Sequence, residues 1–152
     1  EGRKVDLIID DGSHIPEHQI LSFNFLFKNL LLPGSTYIIE DIETSYWKKG
    51  NLYGYTTKYG YDSKRSVVNC FSKVLNWINK EFLLENEIKV LEKYLQKIGF
   101  EIDSLNNIKS ITFGHNILCL RKKTEQDLNL NNRKYRYSQF LYGSGRGKGF
   151  GN

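Results

Sequence analysis

Hydrophobic and polar positions along the chain alternate between short β-branched runs and longer segments with helical spacing. Val5 to Asp10 reads V-D-L-I-I-D, a near-continuous apolar run that ends in acids. A run of that length suits a strand buried on both faces, as in a parallel sheet. The turn cluster Asp11-Gly12-Ser13-His14-Ile15-Pro16 follows, and Pro16 fits the first position of a helix. Ile20, Leu21, Phe23, Leu26, Phe27 and Leu30 recur at close to helical intervals, up to the breaker pair Pro33-Gly34. Thr36 to Asp41 then repeats the opening pattern, a β-rich run closing on carboxylates. Strand, helix and strand joined by short loops predict a βαβ unit.

The next stretch, residues 42–64, interleaves Tyr46, Trp47, Tyr53, Tyr55, Tyr59 and Tyr61 with Gly50, Gly54 and Gly60, and reads as a long functional loop. Helical spacing resumes at Val67, Phe71, Val74, Leu75 and Ile78. A second stripe, Ile88, Leu91, Leu95 and Ile98, ends at Gly99, a residue suited to a helix C-cap. Ile108 to Phe113 and Ile117 to Arg121 flank Gly114-His115-Asn116, a joint short enough to imply an antiparallel pair. Beyond about residue 124 the pattern dissolves. The expectation is an α/β layered body over residues 1–124 and a flexible Gly-rich tail over 125–152.

Length and charge narrow the picture. With 152 residues there is room for one domain of ordinary size. No apolar run reaches the ~20 residues of a membrane-spanning helix, and the first residues lack a signal-peptide layout. Two cysteines, Cys70 and Cys119, are too few for a disulfide framework or a zinc site. The expectation is a reduced, soluble, cytoplasmic protein. The net charge of +5 is located entirely in residues 129–152, which hold Arg133, Lys134, Arg136, Arg146 and Lys148 and no acid. The body is therefore balanced, which weakens any reading of the fold as an anion-binding surface.

Candidate chemistry lies at the two strand ends. Ligands of open α/β sheets bind beyond the carboxyl ends of the strands. There this chain places Asp10-Asp11 and Glu40-Asp41. Neighbouring strands are ~5 Å apart, and carboxylates so close repel unless protonated or bridged by a cation. Oxygen ligands of this kind suit Mg²⁺. Acids after strands are also ordinary turn formers, and Asp11 could simply cap the helix. Glu40 and Asp41 can share an ion only if the strand ends between them, because successive strand residues face opposite ways. Pro16 places His14 ahead of the helix, at the mouth of the crevice, where it fits a base. His18 reads as a first-turn helix residue packing or bonding locally.

The run D-L-I-I-D-D-G-S-H over residues 6–14, with His18, Ser22-Phe23, Leu26-Phe27 and Pro33-Gly34, leads to Y-I-I-E-D-I-E-T-S-Y-W over residues 37–47. Together these motifs resemble the metal-dependent macrolide sugar O-methyltransferases, a group of the class I S-adenosylmethionine-dependent methyltransferases. The likeness is close over residues 5–47 and weaker through the last strand pair. It implies Mg²⁺ ligands at Asp11, Glu40 and Asp41, a general base at His14, and S-adenosylmethionine as cofactor with Asp10 on its side of the crevice. It also implies a sugar-like hydroxyl acceptor flanked by Tyr46 and Trp47, although packed loop aromatics account for these two equally well.

The likeness is to the second half of a Rossmann-like sheet, strands four to seven with the last antiparallel. The glycine loop and ribose acid of the first two strands have no counterpart here. Gly143, Gly145, Gly147, Gly149 and Gly151 follow no predicted strand and fail the contextual test for a nucleotide loop. The expectation is a fragment, inactive alone, whose partner is the missing N-terminal half of the domain. A bare sheet edge must be covered by that half or by another copy of the chain. A degenerate relative that has lost catalysis, and a hydroxylase cousin of the same fold, are alternatives. From a different class, Arg133-Lys134-Tyr135-Arg136-Tyr137 mixes cations with aromatics and suits a non-catalytic module binding nucleic acid, the less favoured reading.

Overall fold

Alternating strand residues Tyr37, Ile39, Leu118 and Leu120 are fully buried, and the fold is built on the sheet face that they form. The computed structural model describes residues 3–47, 51–52, 55–56 and 60–130. Four strands make the main sheet in the order β1 (Val5–Asp10), β2 (Leu31–Glu40), β6 (Ile117–Lys122), β5 (Ile108–Phe113). β1 and β2 are parallel, while β6 runs antiparallel to both β2 and β5. One reversed strand inserted between parallel neighbours is the arrangement expected for the second half of a class I methyltransferase sheet. A separate two-residue pair, β3 (Asn51–Leu52) with β4 (Tyr55–Thr56), falls within the expected loop. Residues 131–152, which hold the five cations and the glycine series, lie outside the described residues, as do Gly50, Tyr53, Gly54 and Tyr59.

Helix α1 (Pro16–Asn29) crosses between β1 and β2 and buries Ile20, Phe23 and Phe27 on the core face. Phe23 is the hub of the aromatic packing, with Phe27, Tyr37, Phe71 and Phe100 at ring-centroid distances of 4.9–6.1 Å. Tilted and edge-on pairs of this kind add to the stabilisation from buried area. Asn24, buried in α1, is satisfied at both ends of its amide: Nδ2 donates to the Gly99 carbonyl at 2.7 Å, and Oδ1 accepts from the Glu101 N–H at 3.1 Å. It fastens the end of α3 (Glu85–Lys97) and the start of α4 (Ile102–Asn106) to α1.

The last turn of α1 leaves carbonyls without intrahelical partners. Lys122 of β6 answers two of them: its buried Nζ donates to Phe27 at 2.7 Å and to Lys28 at 3.3 Å, and also to Leu31 at the start of β2 at 2.7 Å. A cation at a helix C-terminus is also favoured by the helix dipole. The Pro33-Gly34 break lies inside β2. Val5 pairs with Leu31 and Leu7 with Thr36, so residues 32–35 bulge out opposite Asp6 before regular pairing begins at the expected Thr36. Gly34 sits there at φ +80°, a conformation that suits glycine.

α2 (Val67–Ile78) is capped by Ser66, whose hydroxyl accepts the Asn69 N–H. A short helix α5 (Glu125–Leu130) follows Thr124, carrying regular structure six residues past the point where periodicity fades. The expectation that β1 is buried on both faces is not met among the described residues. Ile8 packs on the core, but Leu7 and Ile9 are 51% and 52% exposed. No described helix is long and apolar enough to cross a membrane.

Candidate functional site

Strand register creates the site. Asp10 of β1 pairs with Ile39 of β2, so both strands finish at the same level and release their next residues side by side. β2 ends at Glu40, and Asp41 adopts the left-handed conformation, φ 53° and ψ 55°. That conformation costs roughly 1 kcal/mol or more for a residue with a Cβ, less for Asp than for most. It takes Asp41 out of the strand pleat and starts a 3₁₀ turn over Ile42–Ser45. The alternation that would have separated successive carboxylates is thus broken at this residue.

Asp11, His14 and Asp41 each present a ligand atom within 4.8 Å of the other two. His14 Nε2 stands 4.0 Å from Asp41 Oδ2, beyond hydrogen-bond reach. An octahedral ion with ligands at ~2.1 Å separates them by about 3 Å in cis and about 4.2 Å in trans. The spread of up to 4.8 Å exceeds the trans spacing by about 0.6 Å and the cis spacing by about 1.8 Å, so these side chains would draw together on an ion. Two carboxylate oxygens suit a hard divalent cation, and an imidazole nitrogen is a ligand for softer ones or a base beside a hard one. The residues present therefore fit Mg²⁺.

Hydrogen bonds fix the loop that carries His14. The Thr44 hydroxyl, buried in the 3₁₀ turn, donates to the His14 carbonyl at 2.9 Å. Ser13 Oγ and His18 Nδ1 are bonded at 2.9 Å, so His18 acts locally as expected. Ser45 Oγ accepts the Val68 N–H at 3.3 Å, tying the same turn to the start of α2. The Thr-Ser pair of the second motif thus holds the first motif and α2 in place. Asp41 Oδ1 accepts from Asn116 Nδ2 at 2.8 Å. Asn116 lies in the β5–β6 turn at φ 58°. The only available signal for Asn116 was its residue type, since Asn tolerates left-handed turns.

The other expected site residues are placed differently. Glu40 closes β2 opposite Ile117 and is not a member of the three-residue group. Asp10 Oδ2 accepts the buried Tyr37 hydroxyl at 2.5 Å, which fastens the end of β1 to β2. Burial, reinforced by the carboxylate it bonds, pushes the Tyr37 hydroxyl pKa well above its ordinary value. Gly12 fits closely here, because a Cβ on it would lie 3.2 Å from Asp10 Oδ1. Tyr46 is 54% exposed, and Trp47 is half-buried with its carbonyl accepting the Tyr61 N–H at 3.3 Å. Tyr46 and Trp47 directly follow the turn that carries Thr44.

No protein-family model matches the chain. It is 41% identical over 63 residues to the 8-demethyl-8-alpha-L-rhamnosyl tetracenomycin-C 2'-O-methyltransferase of Streptomyces olivaceus, a match covering 41% of this chain and 15% of that protein. It is 55% identical over 42 residues to the demethylmacrocin O-methyltransferase of Streptomyces fradiae, covering 28% of this chain and 10% of that one. Among solved structures it is similar to the MycE methyltransferase of the mycinamycin biosynthetic pathway in complex with Mg, SAH and mycinamycin VI. There the TM-score is 0.53 at 24% identity, over 78% of this chain and 25% of that chain. The chain resembles the sugar O-methyltransferases and shares part of their fold, and it spans about a quarter or less of the relatives that it matches.

Proposed function

We propose that this chain supplies the cation and acceptor side of an S-adenosylmethionine-dependent O-methyltransferase that modifies a hydroxyl of a sugar or glycosylated small molecule. The observation that carries the proposal is the convergence of Asp11, His14 and Asp41 at the aligned ends of β1 and β2. The matched relatives, by name O-methyltransferases and in one case of a rhamnosyl compound, and the Mg and SAH of the similar solved structure support it. Asp11 and Asp41 would hold Mg²⁺, with Glu40 proposed as a further ligand. The ion, when bound, orients the acceptor hydroxyl and lowers its pKa.

His14 Nε2 accepts the proton of that hydroxyl. S-adenosylmethionine, when bound, would supply the methyl group, the C–O bond to the acceptor forming as the C–S bond breaks and its electron pair returns to sulfur. Orientation of the two substrates contributes much of the rate. For this role His14 must stay fixed as the acceptor arrives, which the Thr44 bond to its carbonyl achieves. Tyr46 and Trp47 are assigned to the acceptor. Asp10 is assigned to the donor side through Oδ1, the oxygen that the Tyr37 hydroxyl leaves free. Leu7 and Ile9, about half exposed, are assigned to contact with an N-terminal half of such a domain, the partner with which activity is expected.

The test grafts residues 5–47 of this chain into the Streptomyces fradiae demethylmacrocin O-methyltransferase in place of its corresponding segment. The chimera is expected to methylate its acceptor, with His14→Ala in the graft lowering kcat at least 100-fold. A chimera that folds and binds S-adenosylmethionine but shows no turnover contradicts the proposal.

A further inference from the structure

Asn116 reaches the site from the turn between β5 and β6, one residue before Ile117 pairs with Glu40 of β2, and it makes two bonds to the same short segment. Its Nδ2 donates to Asp41 Oδ1 at 2.8 Å, and its carbonyl accepts the Ile42 N–H at 3.5 Å. Both Asn116 and Asp41 hold left-handed backbone conformations, at φ 58° and 53°. The bond to Oδ1 selects one rotamer of Asp41, in which Oδ2 faces His14 at 4.0 Å.

The other end of the amide is informative too. Asn116 Oδ1 is buried and has no hydrogen-bond partner among the described residues. Buried acceptors are normally satisfied by protein or ordered water. An acceptor left open, on the side chain that bonds a candidate ligand, suits a water or hydroxyl carried by the ion. Groups that orient metal ligands in this manner typically change metal affinity 10- to 100-fold when removed.

We infer that Asn116 is a positioning residue of the cation site, holding Asp41 through Nδ2 and accepting a hydrogen bond through Oδ1 from a water or hydroxyl carried by the ion. The inference rests on the cation reading of Asp11, His14 and Asp41. It assigns a role in that site to the β5–β6 turn, which neither strand-end motif includes.

The experiment is Mn²⁺ titration of the full chain, with free ion read by electron paramagnetic resonance. Asn116→Gly deletes the amide and preserves the left-handed backbone, and His115→Ala, at the exposed neighbouring position, is the control. The expected result is about a tenfold loss of affinity in Asn116→Gly and none in the control. Equal Mn²⁺ affinity in wild type and Asn116→Gly overturns the positioning role alone. No Mn²⁺ binding by the wild type overturns the cation reading, and this inference with it. Should Asn116→Gly fail to fold, the wild type decides the question. Titrated with Mg²⁺, its Asn116 side-chain amide resonances are expected to shift in step with binding. Resonances that stay still while the ion binds overturn the inference.

Discussion

Replacing Tyr37 by Phe removes one atom from the joint between the two strands that carry the site. The hydroxyl is buried and donates to Asp10 Oδ2 at 2.5 Å, within the short range of hydrogen bonds to ionised acceptors. Such bonds contribute about 1.5–3 kcal/mol net. Asp10 is only half-buried, so water recovers part of the loss, and ~2 kcal/mol is the working figure. With a urea slope of 1–3 kcal/mol/M, the midpoint is expected to fall by about 1 M at an unchanged slope. Asp10→Asn keeps an oxygen acceptor without the charge and is expected to cost about half as much. Because both changes act on one bond, the double variant is expected to fall short of their sum by roughly 1 kcal/mol. Urea unfolding followed by circular dichroism reads all four proteins. A Tyr37→Phe midpoint within about 0.3 M of wild type, or strict additivity, refutes the argument that this bond clamps β1 to β2.

Two further outcomes follow from buried groups outside the site. Burial pushes the Cys70 thiol up to about 11, against 9.0 when exposed. Between those values the unfolded chain releases the proton and the folded chain keeps it, so stability falls as pH rises from 9 to 11. A Cys70→Ala variant is expected to lose that component of the slope, and iodoacetamide is expected to label Cys119 well before Cys70 in the native chain. Equal labelling rates contradict the burial. Lys122→Met deletes two bonds to the end of α1 and one to the start of β2 and is expected to cost about 2–3 kcal/mol, lowering Tm by roughly 8 °C. An unchanged melting temperature contradicts the capping role.

Local pattern was informative where burial and pleat agree. β1, the α2 and α3 stripes and the β5–β6 pair fall within a residue or two of where their apolar spacing places them. α4 escapes such a reading because a five-residue helix presents too few apolar positions to show a period. The open face of β1 escapes it for another reason. Leu7 and Ile9 are apolar whatever covers them, so composition cannot distinguish a face packed within the chain from one left open. The carboxylate and histidine convergence was legible, because strand ends in a parallel pair are brought level by register. Glu40 illustrates the limit: membership of the cluster turns on a single backbone conformation at Asp41, which no spacing reveals. Asn116 and Thr44 depend on contacts across 75 and 30 residues of chain, and neither has a local signature.

The central claim is that Asp11 and Asp41 gather a divalent cation beside His14. Isothermal titration of the full chain with Mg²⁺ tests it most directly, comparing wild type with Asp11→Asn, Asp41→Asn and His14→Gln. The account expects one site in the wild type, at least tenfold weaker in each Asp variant and nearly unchanged in His14→Gln, where a base and not a ligand is lost. Indifference of Mg²⁺ binding to both Asp substitutions would contradict it.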